Sequence, residues 1–297
     1  MGNGQTILCI GSVLWDIIGR AGGPMRLGND VPGRITRLPG GVAMNIATGL
    51  ARFGLTPVLL TAIGADADGE VLMAECRRLG LDTGHVTRDH GLPTDQYMAI
   101  ESGEGLVAAI ADAHSLEAAG DRILAPLENG TLGSADAPYC GLIALDGNLT
   151  EALLAEIATR PSFAAADLRV APASPGKATR LRPLIGHPGA SFYVNLEEAG
   201  LILGSVFTSA SRAAEALVEA GLAQALVTDG ARAAAEGTRG GIVTATPPRV
   251  VLARVTGAGD TFMAAHIAAQ ARGLTGEAAL QTALDAAATY VSGEDPA

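Results

Sequence analysis

Apolar residues in this chain fall in short unbroken runs that alternate with stretches of helical spacing. Residues 6–12 (TILCIGS) form a continuous apolar run ending in a glycine and a serine, which suits a strand buried on both faces of a parallel sheet. From Val42 to Phe53 apolar positions recur at helical spacing, and Gly54 ends the pattern. Pro57 to Ile63 reads as the next strand and Asp68 to Leu79 as the next helix. The same alternation predicts strands at Leu142–Leu145, Phe163–Asp167, Phe192–Val194 and Ala225–Thr228. It predicts helices at Thr150–Ala158, Lys177–Ile185, Glu197–Leu203 and Ala210–Ala220, and two more from Ala258 to Val291, split at Gly273. Alternation of this kind predicts an α/β fold, a doubly wound and mainly parallel sheet flanked by helices on both faces.

Two stretches break the alternation. Residues 16–36 are rich in Gly and Arg with no helical period, and residues 95–112 alternate around Ser102-Gly103-Glu104-Gly105, a hairpin signal. Both are expected to form a small β lid inserted in a single domain spanning residues 1–297. The lid strands have edges that need covering, which points to a homodimer through the lid.

With 297 residues, 48% of them hydrophobic, the chain can bury a substantial core. A net charge of −11 argues against a general nucleic-acid or anionic-membrane binder, and 3% aromatic residues argue against a base-stacking platform. Cys9, Cys76 and Cys140 show no CxxC spacing and read as free thiols of a reducing compartment. No stretch reaches the ~18 apolar residues of a membrane span, and residues 1–6 lack a basic start with an apolar follow-on. The expectation is a soluble cytoplasmic protein.

Candidate chemistry concentrates at Val255-Thr256-Gly257-Ala258-Gly259-Asp260-Thr261-Phe262. Glycines here let backbone N–H groups approach a ligand, and a helix start presents unpaired N–H groups and partial positive charge, which together suit an anion. Asp260 beside such an anion hole suggests a base that prepares a hydroxyl for phosphoryl transfer. A second glycine-led helix start, Pro39-Gly40-Gly41 through Asn45, would let a polar ligand lie against the backbone, with Asn45 offering donor and acceptor to hydroxyls. Asp16 follows the first strand, at the carboxyl end where ligands bind in doubly wound sheets. Asn195 and Glu198 lie on one helical face, either to order waters around Mg²⁺ or to close an N-terminal capping box. Val227-Thr228-Asp229-Gly230 ends another strand and could line a nucleotide. Gly176-Lys177-Ala178-Thr179 lacks the glycine and hydroxyl residue of a P-loop, and Asp66 and Asp68 read as a turn.

In this order and spacing the motifs resemble the PfkB or ribokinase-like family of carbohydrate and nucleoside kinases, over nearly the whole chain. The resemblance implies ATP and Mg²⁺ as cofactors and Asp260 as general base. Gly257, Ala258 and Gly259 would supply anion-hole N–H groups, and Asn195 and Glu198 would order Mg²⁺ through water. Asp16, Gly40, Gly41, Asn45, Tyr97, Asp112 and Asn148 would bind the acceptor. Thr228, Gly230, Thr256 and Lys177, with Asn195 and the two glycines, would bind ATP.

Three stretches resemble the pseudouridine kinase branch: Thr94–Tyr97 through Val107–Asp112, Leu145–Leu149, and Ala166-Asp167 followed by Ser174–Lys177. The third is longer than the branch's pattern. The implied reaction is phosphorylation of the pseudouridine 5′-hydroxyl. The alternatives are a kinase for another nucleoside, ribose or a ketohexose, and a non-catalytic nucleoside or sugar sensor. No G-x-G-x-x-G follows the first strand, which disfavours a dinucleotide-dependent oxidoreductase. One departure stands out. Arg254 occupies a position that is usually acidic in the family and helps bind a monovalent cation. A guanidinium cannot ligate K⁺, so Arg254 is expected to supply fixed positive charge there and to make a monovalent cation dispensable.

Overall fold

The computed structural model describes residues 5–26, 28, 30–103 and 105–296. Residues 1–4 of the opening segment and Glu104 of the expected hairpin turn lie outside them. The chain begins with β1 (Thr6–Ile10), β2 (Leu14–Ala21), β3 (Gly33–Gly40), α1 (Val42–Arg52), β4 (Thr56–Leu60), β5 (Ala62–Gly64) and α2 (Ala67–Arg78). It continues with β6 (Thr87–Asp89), β7 (Gln96–Ser102), β8 (Gly105–Asp112), α3 (His114–Ala119), α4 (Ala125–Glu128), β9 (Leu142–Asp146) and α5 (Glu151–Thr159). The remainder is β10 (Asp167–Ala171), β11 (Ala190–Asn195), α6 (Leu196–Leu203), α7 (Ala210–Glu219), β12 (Gln224–Thr228), β13 (Ala234–Thr238), β14 (Gly241–Ala245), α8 (Ala258–Ala271) and α9 (Gly276–Val291).

The main sheet has eight strands in the order β14-β13-β12-β11-β10-β9-β1-β4, parallel from β12 to β4 and antiparallel at β13 and β14. In β1, Ile7 and Cys9 join a core with α1, α2, α8 and α9, whereas Leu8 and Ile10 join a second core with α3 to α7. Burial on both faces is why that strand reads as an unbroken apolar run. Strand order reverses between β1 and β9, so the carboxyl ends of these two strands flank the crevice where such sheets bind ligands.

A second sheet of four strands, β3-β2-β7-β8, is built from the two stretches that broke the helix–strand alternation. Its strands reach further than residues 16–36: β2 starts at Leu14 and β3 runs to Gly40. Asp16 therefore sits within the second sheet and not at the carboxyl end of a main-sheet strand.

Other departures have local causes. The apolar run Phe163–Ala166 is not a strand; Pro161–Phe163 forms a 3₁₀ turn and the strand begins at Asp167. Arg169 disguised that strand as too polar to be buried. Its guanidinium is satisfied inside the protein by Asp167, Tyr193, Gln224 and Gln270. Residues 175–186 adopt a 3₁₀ form with Pro183 inside, in place of the expected α-helix. The apolar run from Pro57 is interrupted after Leu60, and Ala62–Gly64 pairs instead with β6. Cys9 and Cys76 are buried and Cys140 is exposed, all three free. No helix among the described residues is long and apolar enough to cross a membrane.

Candidate active site

Two glycine-led helix starts approach the reversal point of the sheet, and the structure treats them differently. At α1 the start is sealed from within. Ser12 Oγ accepts the Val42 N–H at 3.0 Å, the Ser12 carbonyl accepts Met44 N–H at 3.2 Å, and Asp146 Oδ2 accepts Ala43 N–H at 3.3 Å. Asp146 is fully buried and also accepts Ser12 N–H at 2.8 Å and the Ser12 hydroxyl. The glycines make this packing feasible: a Cβ on Gly41, at φ +97°, would collide with Ser12, and one on Gly11 with Asp146. The α1 diglycine is thus a close-approach device, and its helix dipole already faces an internal carboxylate.

At α8 the start is open. Gly257, in the left-handed region at φ +88°, is the N-cap, and no side chain caps the first turn. The Ala258 N–H turns back to the Val255 carbonyl at 3.1 Å. Gly259 is exposed, so the first turn of α8 is the better anion hole of the two.

Asp260 stands at this mouth. Its Oδ2 accepts the Asn45 amide at 2.8 Å, a bond between α1 and α8. One turn further on, a Cβ on Gly49 would come 2.7 Å from that of Ala264, so a glycine is what lets the two helices close until Asn45 reaches Asp260. Burial pushes the Asp260 carboxyl up to about 7; the Asn45 hydrogen bond opposes the rise, and the charges of Asp146, Asp16 and Glu198 add to it. A half-buried carboxylate poised near neutrality has the properties of a general base.

Asp16 lies in β2 against Gly40, where any Cβ would meet its carboxylate. Burial raises Asp16 to about 6. Tyr97 of β7 is its register partner and shares its face. Asp112 pairs in register with Gln96 and so lies on the opposite face, where it is exposed and hydrogen-bonded to His114 Nδ1 at 2.7 Å. The structure does not bring Asp112 together with Asp16 and Tyr97.

Asn195 and Glu198 form the reciprocal capping box at the start of α6: Glu198 N–H donates to Asn195 Oδ1 at 2.9 Å, and Asn195 N–H to Glu198 Oε2 at 2.8 Å. This leaves Glu198 Oε1 outside the box, and burial raises the Glu198 carboxyl. A carboxylate oxygen outside the box, near enough to Asp260 for its charge to raise that group, suits a hydrated Mg²⁺, which keeps most of its waters. Among the described residues no group of three or more His, Cys, Asp or Glu converges as a metal cage. Thr228 ends β12 and Gly230 turns the chain beyond it at φ +58°. Asn148 donates to Ser12 Oγ at 2.9 Å and accepts from Lys177 Nζ at 2.6 Å, so both residues join the Asp146 network. Burial, reinforced by Arg180, lowers the Lys177 ammonium below its ordinary value.

Arg254 does not offer a free charge to the anion hole. Its guanidinium lies over the Tyr290 ring and is paired with Asp295 at 2.7 Å. Sequence reasoning missed Ser12, Asp146, Tyr290 and Asp295. Ser12 and Asp146 carried a usable signal: each stands at or just past the end of an apolar strand, on either side of the strand-order reversal.

The chain matches the description "pfkB family carbohydrate kinase" over residues 5–296. It is 36% identical over 143 residues to an uncharacterized sugar kinase of Escherichia coli (strain K12), covering 48% of this chain and 38% of that protein. It is 33% identical over 104 residues to a pseudouridine kinase of the same organism, covering 34% of this chain and 33% of that protein. The chain thus spans less than half the length of these curated relatives. A carbohydrate kinase from Agrobacterium tumefaciens, a solved structure, superposes with a TM-score of 0.78 at 27% identity, covering 96% of this chain and 90% of that one. A family match that runs through both glycine-led helix starts, across nearly the whole chain, makes this protein a member of the pfkB family of carbohydrate kinases.

Proposed function

We propose that the protein transfers the γ-phosphoryl group of ATP to the 5′-hydroxyl of pseudouridine. The observation that carries the reading is Asp260, half-buried, poised near neutrality and held by Asn45 at an uncapped helix start. In this reading Asp16, Gly41 and Asn45, with Tyr97 and Asn148 beside them, hold the nucleoside so that its hydroxyl meets the free oxygen of Asp260. Asp260 takes the hydroxyl proton as the new O–P bond forms and the bond from the γ-phosphorus to the bridging oxygen breaks, with ADP leaving on that oxygen. The N–H groups of Gly257 and Gly259 and the α8 dipole stabilise charge on the transferring phosphoryl group, whereas the Ala258 N–H, expected from the motif to join them, is taken up by the Val255 carbonyl. Thr228, Gly230, Thr256 and Lys177 flank the rest of ATP. Mg²⁺, held through water by Asn195 and Glu198, would neutralise phosphate charge.

The nucleoside assignment draws on the three stretches that resemble the pseudouridine kinase branch and on the partial match to a pseudouridine kinase. It is tested by coupled ADP release with pseudouridine, uridine, ribose and a ketohexose, each in K⁺ buffer and in tetramethylammonium buffer. The highest kcat/KM is expected with pseudouridine, in both buffers alike. A preference for ribose or the ketohexose would assign another acceptor, no ADP with any of them would favour a sensor, and strong K⁺ activation would remove the cation-independent reading.

We further propose pairing of two copies through the second sheet. Ile35, Met98, Ile100 and Ile110 share the face opposite Asp16 and are exposed, Ile35 at 78% and Ile110 at 70%. An apolar face of this kind calls for a cover. Light scattering is expected to find a dimer that Ile110→Glu converts to monomers; a monomeric parent protein at micromolar concentration removes the idea.

A further inference from the structure

The turn that would receive the phosphoryl group is braced by a part of the chain to which the reaction above assigns no role. Arg254 Nε donates to the Tyr290 carbonyl at 2.8 Å, and Arg254 Nη2 to the Glu294 carbonyl at 2.8 Å and to Asp295 Oδ1 at 2.7 Å. The guanidinium carbon is 3.8 Å from the Tyr290 ring centroid. The backbone N–H groups of Ala253 and Arg254 both donate to the Val291 carbonyl, at 2.8 and 3.2 Å. Asp295 is also bridged by Arg52 of α1 at 3.1 Å. Tyr290 then reaches into the turn itself: its hydroxyl donates to the Thr256 carbonyl at 2.9 Å, and a Cβ on Gly257 would stand 2.6 Å from that hydroxyl.

The physical consequence follows from the planarity of one peptide bond. The Thr256–Gly257 peptide is trans, so its carbonyl and its N–H point in opposite directions. Pinning the Thr256 oxygen to Tyr290 therefore aims the Gly257 N–H away from Tyr290 and disfavours a flip of the peptide. Tyr290 is in turn held from above by the guanidinium. Arg254 is anchored there because the carbonyls at the end of α9 carry the negative end of a helix dipole, and a guanidinium presents several donors in a fixed fork.

We propose that Arg254, Tyr290 and Asp295 form a clamp that orients the anion-hole N–H groups, making the segment after α9 a positioning element of the transfer site. The catalytic half of the proposal rests on the kinase reading above; the mechanical half does not, and the test separates them.

Tyr290→Phe removes a single O–H and should fold. Its kcat is expected to fall about tenfold with the acceptor KM unchanged, since the lost interaction orients groups that act on the transition state. Arg254→Ala should lose more, and tens of millimolar guanidinium chloride should restore several-fold what sodium chloride at equal ionic strength does not. Hydrogen exchange of the 256–260 amides should quicken in both variants, while the interiors of α8 and α9 stay as in the parent. Unchanged exchange and unchanged kcat in Tyr290→Phe would overturn the clamp, as would equal rescue of Arg254→Ala by sodium chloride. Quickened exchange in the two variants, with a parent protein that phosphorylates no acceptor, would uphold the clamp and fault the kinase reading.

Discussion

Asp260→Asn is expected to leave a folded protein whose kcat is lower by about 10²–10⁴-fold, the usual contribution of a general base. The acceptor proton then has no destination, because the amide that replaces the carboxylate cannot take it. In the parent protein kcat/KM should rise with pH to a plateau above about 7, tracking ionisation of Asp260. Asn45→Ala should move that limb to higher pH, since the lost hydrogen bond is what holds the carboxyl down. A pH–rate profile checks both, and a downward move in Asn45→Ala would remove that bond as the tuning contact.

Stability should move the other way from activity. A carboxyl whose folded pKa is raised favours folding at low pH, and that contribution is lost as pH rises from about 4 through about 7. At pH 8 the ionised Asp260 therefore burdens the fold, and Asp260→Asn should be more stable by about 1–4 kcal/mol, at ~1.4 kcal/mol per unit of pKa. Urea unfolding at pH 8 and pH 4 measures it: the gain should be present at the first pH and absent at the second. Loss of stability at pH 8 would mean that the carboxylate is a structural partner of Asn45 first and a strained base second.

The largest effect on the fold should come from Asp146→Ala. The carboxylate is fully buried and is the acceptor shared by Ser12 N–H, the Ser12 hydroxyl and the Ala43 N–H, while its other oxygen takes Asn148 N–H at 2.7 Å. Removing it strands several buried donors at the α1 start, at a cost of about 3 kcal/mol or more. Asp146→Asn keeps one acceptor and should cost less. It also removes one of the charges that repel Asp260, so its kcat/KM limb should shift to lower pH. Denaturant unfolding of the two variants, with the pH profile of the second, separates the structural from the electrostatic part. An Asp146→Ala protein as stable as its parent would mean that water replaces the carboxylate at the α1 start.

The readings that held rest on local patterns. Residues 6–12 announce a two-sided buried strand because nearly every side chain must be apolar there, and the helix at Val42 shows in spacing alone. The place of Asp260 in the first turn of a glycine-led helix was legible because the glycines, the helix and the carboxylate lie within eight consecutive residues. Where a distant partner satisfies a residue, the pattern misleads. Arg169 hid β10 because its partners come from three other elements. The alternation predicts an α-helix over Lys177–Ile185, yet residues 175–186, with Pro183 inside, take a 3₁₀ form. The family resemblance grouped Asp112 with Tyr97, but strand pairing puts them on opposite faces.

What the sequence by itself determined is the presence of two glycine-led helix starts on an α/β scaffold and a carboxylate at one of them. Only the tertiary structure decided which start is open. The α1 mouth is closed by Asp146, about a hundred residues further along the chain, and the α8 mouth is left uncapped and braced by Tyr290, more than thirty residues beyond it. A helix start is an anion site only while its N–H groups lack partners, and partners from that far away leave no trace in local spacing.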